Sequence, residues 1–110
     1  MKLIIQAGHF WSFTHPETQV MRSSMHAAGY LEGFLTRDLM WMHWQNVLKG
    51  YCYNKTDVCG LIDDFINTNQ QYTASMIEKN PNDPYWYQVK LYYIQLEGLA
   101  AGYNAATKPM

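Results

Sequence analysis

The sequence predicts an α+β chain that is mostly α: one short strand and four helices in a single partial domain. Three observations carry that expectation. Apolar residues recur at helical spacing through most of 20–104. A β-branched apolar run too short for a helix, "KLIIQ", occupies 2–6. Charged residues are 15% of the chain, against about 25% in ordinary globular proteins, while aromatics are also 15%. A chain near this size buries only about two-thirds of its surface. It therefore carries more apolar surface than it can hide comfortably, which points to a subunit or fragment that packs against something else. A small, aromatic-rich globular domain is the alternative.

The division expected along 1–110 is strand and loop over 1–19, four helices over 20–104, and a tail over 105–110. After the strand, "AGHFWSFTHPETQ" (7–19) carries Gly8 and Pro16 and reads as a loop. The first helix covers 20–35 and contains Ala27, Ala28, Gly29 and Gly33. Each interior glycine costs roughly 1 kcal/mol in a helix. The compensation would be close approach of another backbone. Thr36 can cap the second helix, with Asp38 in its first turn.

"LMWMHWQNVL" (39–48) is apolar nearly all round, which predicts a buried helix with His43 as a satisfied core histidine. Gly50 ends that helix. A third helix is expected over 61–79, with Leu61, Phe65, Tyr72 and Met76 on one stripe, joined by Ile62, Ile66 and Ile77. Asp63 and Asp64 would sit in its first turn, as charge placement at the positive dipole end. Asn80-Pro81 stops it. Asp83 and Pro84 restart the chain as cap and first helical residue. Tyr85, Val89, Tyr92, Leu96, Leu99 and Tyr103 then mark the clearest amphipathic stripe, in a helix reaching 104.

"YCYNKTDVC" (51–59) holds both cysteines and the sequon Asn54-Lys55-Thr56. Structural zinc wants four ligands with tighter thiol spacing, and thiol redox pairs want Cys-x-x-Cys. His9, His15, His26 and His43 show no His-x-x-x-His spacing. A short-loop disulfide between Cys52 and Cys59 is the better reading, with two inert buried thiols as the alternative. Closing such a ring would contribute about 2.5 kcal/mol. Asn54 in a polar loop beside a disulfide points to glycosylation in the secretory pathway. The start, "MKLIIQAGHF", shows no signal peptide, so the chain reads either as cytosolic or as lacking its true amino terminus.

A net charge of −1 gives no basic footprint for nucleic acid. No run approaches the roughly 18 apolar residues of a transmembrane helix. No Gly-x-Ser-x-Gly elbow, Walker loop or dinucleotide fingerprint occurs, and nothing calls for a cofactor or a metal. Ser23-Ser24 near His26 is a weak coincidence. The residues alone show no active site.

Longer motifs carry more. "HAAGYLEGFLT" (26–36) is similar to an "AAGxxEGxLT" helix, and "MHWQN" (42–46) to the helix that follows it. "NPNDPYWYQVKLYYIQLEGLAAGY" (80–103) is similar to the block "DPYWxQVxLxxxQLxGLxxGY". Over 25–103 the sequence resembles the phospholipase B-like, laminal ancestor-related family, lysosomal and secreted proteins. Members carry a short-loop disulfide where Cys52 and Cys59 stand.

The resemblance implies an N-terminal-nucleophile hydrolase (αββα) fold, made as a precursor and cut internally. The expected nucleophile is the N-terminal cysteine of the larger fragment, acting on an acyl ester or amide of a lipid-like substrate. This chain ends short of that cysteine, and its loop over 7–19 is longer than the family pattern. No catalytic residue is carried over. The chain is then expected to be the amino-terminal part of such a hydrolase, inactive by itself, with the remainder of its precursor as partner. A non-enzymatic secreted helical module stapled at Cys52–Cys59, or a degenerate truncated member, is the alternative. A downstream reading frame whose mature form starts with Cys would discriminate between them.

Overall fold

The computed structural model describes residues 16–106, with side chains from 20 onward. These residues form α1 (Pro16–Leu35), α2 (Arg37–His43), a π-helix (Trp44–Leu48), α3 (Thr56–Lys79) and α4 (Pro84–Ala106). The described chain is thus mostly α. No strand occurs among the described residues, and the strand expected at 2–6 lies outside them.

The architecture rests on one helix pair. Gly29 and Gly33 of α1 and Gly98 and Gly102 of α4 are all buried. A Cβ at Gly29 would come within 2.0 Å of the Gln95 carbonyl oxygen, and one at Gly33 within 2.1 Å of that of Leu99. From the other side, a Cβ at Gly98 would come within 2.1 Å of the His26 carbonyl oxygen, and one at Gly102 within 1.9 Å of that of Tyr30. The backbones therefore touch, with no side chain between them. Such contact favours dispersion and Cα–H···O interactions along the seam.

Residue numbers rise together on both sides of this seam, so α1 and α4 run parallel. A parallel pair needs a return path of helical length. The 24 residues of α3 supply it, spanning about 36 Å at 1.5 Å per residue.

The buried face of α4 differs from the expected stripe. Leu91, Ile94, Gly98, Gly102 and Tyr103 are buried, whereas Tyr85 and Tyr92 are 65% and 59% exposed. The stripe holds at Tyr103, which is buried, and in part at Val89, Leu96 and Leu99, which are half-buried; the buried face is turned from Tyr85 and Tyr92 toward Leu91, Ile94, Gly98 and Gly102. Glycine adds nothing to a hydrophobic stripe, yet it admits a neighbouring backbone. That contact sets which way α4 faces.

Element ends show further differences. α1 begins at Pro16, inside the expected loop, because proline's fixed φ suits a first helical position. Thr36 makes no N-cap hydrogen bond to α2. Its Oγ1 instead donates to the Glu32 carbonyl at 2.7 Å, fastening the end of α1. The expected buried helix over 39–48 has no buried residue, and His43 is exposed. Its second half is π-helical, closed by Lys49 N–H donating to the Trp44 carbonyl at 2.7 Å. Gly50 ends this segment with φ 81°, a conformation glycine adopts without strain.

α3 starts five residues before its expected start at 61, at Thr56. Its first-turn acid is therefore Asp57, and Asp63 and Asp64 lie exposed further along the helix. The far end of α3 behaves as expected. Asn80 Nδ2 donates to the Met76 carbonyl at 2.8 Å, and Asp83 Oδ1 accepts from the Tyr85 N–H at 2.9 Å. These bonds stop one helix and cap the next. Ile77 packs there against Trp86, Val89 and Tyr93, and Tyr72 meets the Trp86 ring edge-on. Among residues of α3 only Thr73 and Ile77 are buried.

Candidate functional site

The hairpin between the π-helix and α3 is built by tight turns. Tyr51 N–H donates to the Leu48 carbonyl at 3.0 Å, Tyr53 N–H to that of Gly50 at 3.0 Å, and Lys55 N–H to that of Cys52 at 2.9 Å. Asn54 sits at the tip with φ 57°, a left-handed conformation that asparagine tolerates better than most side chains. Cys59 lies in the first turn of α3, its N–H bonded to the Lys55 carbonyl at 2.9 Å. Cys52 and Cys59 are joined as a disulfide, with Cα atoms 5.9 Å apart. Their sulfurs are bonded to each other, so neither is available as a thiolate nucleophile. Lys55 Nζ lies 4.6 Å from the centre of the Tyr51 ring, a cation–π contact on an exposed surface. Residues 50–58, including Asn54 and Thr56, are all exposed.

Other polar candidates do not converge. Ser23 and Ser24 are exposed, and His26 meets α4 through its backbone, against Gly98. Among the described residues no group of three or more His, Cys, Asp or Glu side chains could hold a metal ion. His9 and His15 lie outside the described residues. A shallow groove of about 200 Å³ is lined by Glu32, Tyr92, Gln95, Leu96 and Leu99. That is smaller than the roughly 300 Å³ of a small ligand pocket, and its single carboxylate offers no acid–base pair. Burial lowers the Lys90 ammonium below its ordinary value.

Two charged groups tie the helices together. Arg37 pairs with Asp38 at 2.9 Å, and its guanidinium lies over the rings of Trp41 and Tyr103, 5.6 and 5.8 Å from their centres. Arg22 of α1 reaches Glu97 of α4 at 3.9 Å. Neither arginine was singled out from sequence, because a single cation on an amphipathic helix carries no signature. The glycines of α4 did carry one: Gly98 and Gly102 repeat the four-residue spacing of Gly29 and Gly33.

What the described residues present most is uncovered apolar surface. Leu31 and Leu35 of α1, Leu39 of α2, Val47 of the π-helix, and Leu61, Phe65 and Tyr72 of α3 are each more than half exposed. Among the described residues only Ile77, Leu91, Ile94 and Tyr103 are buried hydrophobics. No helix among the described residues is long and apolar enough to cross a membrane.

Comparison with known proteins gives these features a setting. The chain is 39% identical over 82 residues to phospholipase B-like protein B of Dictyostelium discoideum, a match covering 74% of this chain and 14% of that relative. It is 38% identical over 82 residues to phospholipase B-like protein C of the same organism, with the same coverage of 74% and 14%. The chain thus spans only about a seventh of the length of these curated relatives. No solved structure matches it. The family model described as phospholipase B matches residues 8–110, nearly the whole sequence, and the chain belongs to that family.

Proposed function

We propose that this chain is the amino-terminal portion of a phospholipase B-like hydrolase of N-terminal-nucleophile architecture. It supplies a helical layer to that enzyme and no catalytic residue. The observation that carries this reading is the uncovered apolar surface on α1, α2, the π-helix and α3, in a member of a family whose curated relatives are several times longer. Those faces need sheets or helices to cover them, and the remainder of the same precursor is their natural partner.

The chemistry belongs to the larger fragment. Its N-terminal cysteine thiol would attack the acyl carbonyl of a lipid ester or amide, with the free α-amino group taking the proton. A thioester forms, the alcohol or amine leaves with a proton, and water then releases the fatty acid. Hydrogen-bond donors facing the carbonyl oxygen would stabilise the tetrahedral intermediate. Cys52 and Cys59 take no part, since both are held in a disulfide. The secretory pathway, with a lysosomal or secreted destination, suits that disulfide.

The test is turnover of a phospholipid and of an acyl amide by the whole precursor and by the 110-residue chain. The whole protein should hydrolyse at least one of them and the isolated chain neither. Turnover by the isolated chain, lost on substituting a residue within it, would contradict the assignment.

A further inference from the structure

Resting on the secretory reading above, we infer that Asn54 is an N-glycan acceptor, and that the disulfide hairpin is a point of the helical layer left in solvent in the mature protein. The sequon Asn54-Lys55-Thr56 occupies the tip of the hairpin. Every residue from 50 to 58 is exposed, with Tyr53 at 79%. The loop is too short to fold inward. It is closed by Cys52–Cys59 at one end and continues directly into α3 at Thr56. Polar side chains run without interruption from Asn54 to Asp57, in contrast to the apolar faces of α3 beyond them, where Leu61 and Phe65 are about 70% exposed. Those faces are apolar, whereas the tip of the hairpin from Asn54 to Asp57 is polar, although Tyr51, Tyr53 and Val58 beside it are exposed too.

The modification is a glycosyl transfer. The donor is an oligosaccharide carried on a lipid diphosphate. The Asn54 amide nitrogen bonds to the anomeric carbon of the sugar, the bond from that carbon to the diphosphate oxygen breaks, and the diphosphate leaves with the electron pair. One amide proton is lost to solvent. The hydroxyl required two residues on is that of Thr56.

Asparagine at this position also has a backbone reason, because φ is 57°. The two roles separate on substitution. Glycine keeps the left-handed turn and removes the acceptor.

The experiment expresses the full chain, and separately its parent protein, behind a cleavable secretory leader in a eukaryotic host. Removal of the leader, read from the intact mass, confirms delivery to the lumen. A supplied leader makes the result independent of how the native protein is targeted, so location of the native protein tests the secretory reading and occupancy of Asn54 tests this site. In leader-processed protein the 54-containing peptide should carry a glycosidase-sensitive mass. It should be lost in Asn54→Gly and Thr56→Ala and kept in Thr56→Ser. Leader-processed, disulfide-bonded protein with unmodified Asn54, in both the chain and the parent, would overturn the inference.

Discussion

Gly29, Gly33, Gly98 and Gly102 decide how near α1 and α4 can come. At each, an added methyl group would meet a carbonyl oxygen of the other helix at about 2 Å. Backbone cannot yield as a flexible side chain can, so the helices would have to move apart. Gly98→Ala or Gly102→Ala should therefore destabilise the parent protein by about 1–3 kcal/mol, despite alanine's better helix propensity. Gly60 is the control. It also lies in a helix, but a Cβ there would meet nothing within 4 Å. Gly60→Ala should stabilise by about 0.5–1 kcal/mol. Thermal midpoints of the parent variants check both signs, and equal effects at Gly60 and Gly98 would count against the backbone seam. At this scale the sequence was half legible. Gly29 and Gly33 could be read as approach sites, since glycine in a helix needs a reason. Their partners on α4 were hidden behind a stronger aromatic stripe.

The helices differ in how well their ends were written in the sequence. The junction at 80–84 was legible because proline, asparagine and aspartate each have a local physical role there, independent of the rest of the fold. Asp83 caps α4 as its side chain allows. The start of α3 was not legible. The cysteine loop suggested irregular structure through Cys59, but the disulfide closes from a turn onto the first turn of a helix. The parallel run of α1 and α4 was equally invisible, since periodicity gives a face but no direction. The disulfide belongs to this scale too. Replacing Cys52 and Cys59 by serine in the parent should cost up to about 2.5 kcal/mol. Hydrogen exchange should quicken around 50–62 and stay unchanged along the α1–α4 seam. Protein from a secretory host with two alkylatable thiols at these positions would contradict the pairing.

As a whole, the described chain is an exposed layer organised on one tight seam. Its side-chain core is four residues, while long apolar stretches of α1, α3 and the 39–48 segment face outward. That excess was legible in composition. The expectation that 39–48 is buried was read from the same residues, and among the described residues none of these ten is fully buried. Covering about 400 Å² of such surface is worth on the order of 10 kcal/mol at 25 cal/mol per Å². That rivals the entire stability of a small domain, about 5–15 kcal/mol. The central claim is that this layer is completed by the rest of a phospholipase B-like protein. The most direct measurement is size-exclusion chromatography of the isolated chain together with binding of a hydrophobic dye and a thermal unfolding curve. The account predicts self-association or binding to the column, strong dye fluorescence and a broad, non-cooperative transition. A compact, dye-negative monomer that unfolds cooperatively would contradict it.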